Sequence, residues 1–190
     1  MPITVRETAL KDVLRVETGI FRDERGFFTE AYSQQAFEDQ GIVAPFVQDS
    51  LSESARGTVR GLHYQIEPHG MGKLVRVLAG SVYDVAVDLR RGSPTFGQWL
   101  GEVLSAENRH ALWIPSGFAH GFLALEDQTL VLYKCTTFHT PDAERAIHYQ
   151  DPTLAVTWPF KPSLVSKKDA AAPNLDRAEH NFTYYHPHGV

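Results

Sequence analysis

A base, a cation and a phenol stand at spacings that a small β-barrel would bring into its interior. His63 lies in Thr58-Val-Arg-Gly-Leu-His-Tyr-Gln65, Lys73 follows eight residues after Gln65, and Tyr133 opens Tyr-Lys-Cys-Thr136. The turn Pro115-Ser-Gly-Phe-Ala-His120 adds a second imidazole, and Val82–Asp88 adds two carboxylates, Asp84 and Asp88. Such a set suits proton abstraction next to a carbonyl. Read from its own segment alone, His63 is as readily a hydrogen-bonded core histidine as a base. Cys135 sits in an apolar run and reads as packing.

Strand parity sets the side chains. Val82, Asp84, Ala86 and Asp88 share one face of a strand, and His63 and Gln65 share one face of another. The two carboxylates face either water or a polar barrel interior. The apolar opposite face makes the interior at least as plausible.

The elements that must hold these residues are short apolar runs with Gly and Pro punctuation. Leu74–Leu78, Val82–Leu89, Gly97–Leu104, His110–Ile114, Gly121–Leu125 and Thr129–Thr136 read as strands, recurring at about 8–12 residues, which points to an antiparallel sandwich or barrel. Gly80-Ser81 joins the first two, and Arg91-Gly-Ser-Pro94 ends the second. Helix signals are few: Ser33–Gln40 with Ser33 as cap, and an opening at Ala170–Pro173 after a turn at Ser166–Asp169. Ser105–Asn108 reads as a tight turn. Pro152–Pro162, with Trp158 and three prolines, is expected along the surface or a sheet edge. The aromatic, His-rich end, Tyr184–His188, either docks on a partner or is disordered.

Composition narrows the class. The 190 residues fit one domain spanning 1–190, with N-terminal strands at about 1–50 and a C-terminal extension at about 152–190. At 43% hydrophobic the chain can build a sizeable core. A net charge of -5 leaves no basic field for nucleic acid, so an anionic ligand must meet a local Arg/Lys cluster. One cysteine excludes an internal disulfide, and no apolar run has the length of a bilayer span. The first residues lack the apolar stretch of a signal peptide. A soluble, cytoplasmic protein is expected.

The barrel with Pro115-Ser-Gly117-Phe-Ala-His120 resembles the cupin superfamily. Where that superfamily places metal ligands, this chain has His63-Tyr-Gln65, with Lys73 near the expected carboxylate. Gln is a poor ligand and an ammonium repels a cation, so no metal is expected despite nine histidines. The full pattern resembles the dTDP-4-dehydrorhamnose 3,5-epimerases, metal-free cupins of deoxysugar biosynthesis. It runs through Phe21–Glu30, Phe46–Asp49, Arg56–Gln65, Gly72–Arg76, Asp84–Gly97, Trp113–Phe122, Tyr133–Thr136 and Ser166–Asp169.

The resemblance implies an all-β, cupin-type jelly-roll barrel with a few short helices at the termini, working as a homodimer. It implies epimerisation at C3 and C5 of dTDP-4-dehydro-6-deoxy-α-D-glucose to dTDP-4-dehydro-β-L-rhamnose, without cofactor, in the rhamnose pathway that feeds lipopolysaccharide. In this reading His63 is the general base and Asp169 its orienting carboxylate, with Asp84 a competitor for that role. Lys73 balances the enolate and Tyr133 is the proton donor. Arg60 and Lys168 match pyrophosphate contacts, Gln48 a thymine contact, His120 a sugar contact, and Glu144 a further binding position. Arg25 and Glu30 match positions that the partner subunit supplies, and the N-terminal strands complete the dimer. Ser50, where Asn is usual, and His139, where a larger ring stacks on thymine, depart from the family and bear on base preference. The alternatives are a single-site C3 or C5 epimerase of another nucleotide-deoxysugar pathway, a metal cupin, and a non-catalytic sugar-nucleotide-binding cupin.

Overall fold

The computed structural model describes residues 2–185. In chain order the strands are β1 Ile3–Glu7, β2 Leu14–Thr18, β3 Ile20–Asp23, β4 Gly26–Thr29, β5 Gln48–Ser54, β6 Thr58–Gln65 and β7 Lys73–Ala79. They continue with β8 Ser81–Asp88, β9 Trp99–Ser105, β10 Ala111–Ile114, β11 Phe118–Ala124, β12 Thr129–Cys135, β13 Glu144–Ala146 and β14 Leu164–Val165. The helices are short: α1 Gln34–Glu38 and α2 Lys167–Ala170.

Two six-stranded sheets carry the fold, as the all-β reading expected. One runs β1-β2-β10-β7-β12-β5; the other runs β13-β6-β11-β8-β9, with β14 parallel to the start of β6. A separate hairpin joins β3 to β4. The alternation of the strands builds the space between the sheets. Val75, Val77, Leu112, Ile114 and Val131 of the first sheet meet Val82, Ala86, Leu104, Phe118 and Phe122 of the second. This interior is apolar at one end and becomes polar toward Lys73, Tyr133, His63 and His120.

The outer faces are covered too, which explains why β8 is buried on both sides. Tyr64, Val85, Val87 and Leu89 pack under Leu154, Leu175 and Phe182 of the C-terminal segment. The stretch Pro152–Pro162 accordingly lies over the outer face of the second sheet, with Trp158 donating its indole N–H to the Tyr149 carbonyl at 2.9 Å. Residues 32–46 cover part of the first sheet through Tyr32, Phe37, Ile42 and Phe46.

Some boundaries differ from expectation. Ser33 sits at the N-cap of α1, but its side chain makes no capping bond. The C-terminal helix begins three residues before Ala170 and ends there: Ser166 Oγ accepts from the Asp169 N–H and starts α2 one turn early. Of the end segment, Tyr184 stacks on Arg90 and Lys11, whereas residues 186–188 lie outside the described ones.

Candidate active site

The first step in building the site is a fault in β6. Regular alternation would send Arg60 and His63 to opposite faces. Against β11, however, His63 pairs with His120 while Arg60 pairs with Phe122, so two residues of β6, Gly61 and Leu62, stand against one of β11, Gly121. This bulge turns both side chains toward one cleft. Glycines make it possible. Gly61 has φ +115°, and a Cβ on it would lie 2.6 Å from both the Gly121 Cα and the His120 carbonyl oxygen.

The cleft, about 500 Å³, opens between the sheets. The second sheet supplies His63 and His120, neighbours across β6 and β11, with Asp84 beside them on β8. The first sheet supplies Lys73 and Tyr133 from β7 and β12. Base and phenol therefore come from facing sheets.

Asp169 reaches His63 through the C-terminal chain. β14 lies along the start of β6, and α2 then drops the carboxylate behind the imidazole. Asp169 Oδ1 is 2.6 Å from His63 Nε2, and Oδ2 accepts weakly from the Gly61 N–H at 3.4 Å. Burial alone would raise the Asp169 carboxyl. The His63 hydrogen bond and charge, with the Ser166 and Gly61 donors, outweigh it and hold the group below its usual range. The choice between two carboxylates left by the sequence resolves geometrically: Asp169 pairs with His63, while Asp84 pairs with His120.

Tyr133 Oη lies 2.8 Å from Ser52 Oγ on β5, and burial pushes the phenol well above its ordinary value, so it stays protonated. Ser52 was absent from the sequence expectations. The available signal was the alternation of Gln48, Ser50, Ser52 and Ser54 with Asp49, Leu51 and Glu53 along one strand. Lys73 is half-buried where the two lobes of the cleft meet, and burial pulls its ammonium below the ordinary value. Gln65 is engaged elsewhere: its amide donates to the carbonyls of His69 and Phe138 and accepts from the Thr140 N–H, tying two loops together. Among the described residues no group of three or more His, Cys, Asp or Glu is arranged to hold a metal ion.

A second lobe, about 360 Å³, shares His63, Lys73 and Tyr133 with the first and is lined by Gln48, Ser50, His139 and Glu144. Gln48 donates to Ser50 Oγ at 3.1 Å and accepts from the His139 backbone N–H at 3.0 Å. Glu144 Oε2 lies 2.5 Å from Lys168 Nζ and 3.4 Å from His139 Nε2. Burial raises the Glu144 carboxyl, but these two donors bring it below its usual range. Arg60 and Lys168 stand on the wall of the first lobe, where Arg60 also donates to Ser54 Oγ and the Glu53 carbonyl. Eleven of the sequence-derived site residues, Asp169 and Ser50 among them, thus line one two-lobed cleft around His63.

Arg25 and Glu30 are not in that cleft. Arg25 is exposed at the tip of the β3–β4 hairpin, paired with Asp23, and Glu30 follows β4.

Comparison with known proteins identifies the family. A family model described as dTDP-4-dehydrorhamnose 3,5-epimerase matches residues 7–177. A Pseudomonas aeruginosa dTDP-4-dehydrorhamnose 3,5-epimerase is 56% identical over 85% of this chain and 90% of its own. The Salmonella typhimurium protein of the same name is 52% identical over 92% and 96%. The solved structure of a Legionella pneumophila dTDP-6-deoxy-D-glucose-3,5-epimerase in complex with dTDP-4-keto-L-rhamnose superposes with a TM-score of 0.89 at 48% identity, covering 93% of this chain and 94% of that one.

Proposed function

The chain belongs to the dTDP-4-dehydrorhamnose 3,5-epimerase family, and from that premise we propose how its cleft inverts C3 and C5 of dTDP-4-dehydro-6-deoxy-α-D-glucose. The enzyme is an isomerase. The C4 ketone acidifies the protons on both neighbouring carbons, so one set of groups serves each in turn.

His63 is the base. Its Nε2 is held by Asp169, which leaves Nδ1 to take the proton and lets the carboxylate stabilise the imidazolium that forms. The electron pair moves onto the C4 oxygen. Lys73 balances that enolate from between the sheets, where a fixed cation partly withdrawn from water acts more strongly than in bulk. Tyr133 then gives its proton to the carbon from the other side. Its high pKa suits an enolate acceptor, and Ser52 orients the hydroxyl.

The observation that carries this reading is the division of labour between sheets. Base on one sheet and phenol on the facing sheet is what inversion requires, because deprotonation and reprotonation must take opposite faces of the sugar. Arg60 and Lys168 meet the pyrophosphate, His120 the sugar, and Gln48, Ser50, His139 and Glu144 the nucleoside lobe. Arg25 and Glu30 act on the cleft of a second copy in a homodimer, which fits their position on an exposed hairpin outside their own cleft. The whole of 1–190 works as one catalytic domain in the cytoplasm. No helix among the described residues is long and apolar enough to cross a membrane.

The test is the product. Incubation of the purified chain with dTDP-4-keto-6-deoxy-D-glucose, followed by proton NMR, is expected to give the sugar with both C3 and C5 inverted. Inversion at one carbon alone would contradict the double reaction.

A further inference from the structure

The cleft holds a second imidazole–carboxylate pair that the proton shuttle does not use. Asp84 is fully buried on β8, and its two oxygens lie 3.0 and 2.9 Å from His120 Nε2. A carboxylate engaged with one ring nitrogen fixes the proton there. Burial further favours the neutral ring, although Asp84 opposes it. Nδ1 of His120 then carries the lone pair. That atom can accept a hydrogen bond but not give one. A ketone or enolate oxygen needs a donor, whereas a sugar hydroxyl is one.

Facing His120 are Asp84 from β8, His63 from β6, and Tyr133 and Lys73 from the other sheet. Lys73 and His63 also favour the neutral ring.

We propose that Asp84 is a positioning residue for the epimerisation: it fixes His120 as the Nε2–H tautomer, so that Nδ1 accepts a hydroxyl of the sugar. The proposal rests on the epimerase reading of the same cleft. It assigns His120 to recognition of a hydroxyl and leaves the C4 oxygen to Lys73.

Two measurements test it. Nitrogen-15 NMR of imidazole-labelled, substrate-free wild type, assigned by the signal lost in His120→Gln, is expected to show a neutral ring protonated on Nε2 across about pH 6 to 8. An Nδ1–H ring, or an imidazolium in that range, would overturn the tautomer assignment. Asp84→Asn keeps the size but can present its NH₂ to Nε2, so the His120 ring is expected to move toward the Nδ1–H tautomer in the same spectrum, and kcat/KM to fall about tenfold or more. A merely structural role would lower the folded fraction and leave the tautomer in place. A folded Asp84→Asn with the wild-type tautomer and wild-type kcat/KM would overturn the positioning role. If that variant does not fold, the wild-type spectrum decides. Wild type that leaves the sugar unchanged would instead refute the epimerase reading, and the spectrum, recorded without substrate, is independent of it.

Discussion

At the residue scale, the chemistry depends on which nitrogen of His63 is free. Asp169 engages Nε2 at 2.6 Å, and the substrate proton must go to Nδ1. An amide at 169 can present its NH₂ to the ring and favour the wrong tautomer, while the cleft keeps its shape. Asp169→Asn is therefore expected to lower kcat on the order of 10²- to 10⁴-fold with substrate affinity nearly unchanged, as steady-state kinetics and direct binding would show. His63, Lys73 and Tyr133 were legible in the sequence because their types match one reaction. For the partner of His63 residue type alone left Asp84 and Asp169 equal; the family resemblance put Asp169 first, and the path of β14 and α2 brings it to the ring.

At the scale of elements, β6 decides the site. Its bulge at Gly61 puts Arg60 and His63 on one side of the sheet, so the anion-binding and proton-abstracting ends of the cleft share a strand. Parity applied to the bare sequence misses this, since an extra residue in a strand leaves no mark beyond a glycine. Gly61→Ala is expected to destabilise the fold by about 1–3 kcal/mol in denaturant unfolding, because φ +115° is strained for any side chain and Gly121 leaves no room for a methyl group. Its activity should fall by more than its loss of folded protein. The middle strands were readable from alternation and glycine spacing. The N-terminal strands were expected only as a block at about 1–50, and β3 and β4 could not be bounded within it, because they are exposed throughout or nearly so and their apolar residues show no single buried face.

At the scale of the whole molecule, the β3–β4 hairpin stands apart from both sheets, with Phe21 58% and Phe28 67% exposed beside Arg25. Aromatic surface of this kind is expected to be covered by a second copy. If Arg25 serves the other subunit's cleft, Arg25→Ala and His63→Ala should complement each other. Each homodimer is inactive or nearly so, but a mixed dimer made by co-expression has one cleft with wild-type His63 and wild-type Arg25. About half of the wild-type activity per mixed dimer is expected in rate assays. No recovery would mean that Arg25 serves its own chain or none.

The most direct measurement of the central claim is deuterium wash-in. With dTDP-4-keto-6-deoxy-D-glucose in deuterated buffer and no added metal, the wild type is expected to place deuterium at both C3 and C5. His63→Ala, folded to the same extent, should place it at neither. Equal labelling by the variant, or no labelling by the wild type, would contradict proton abstraction by His63.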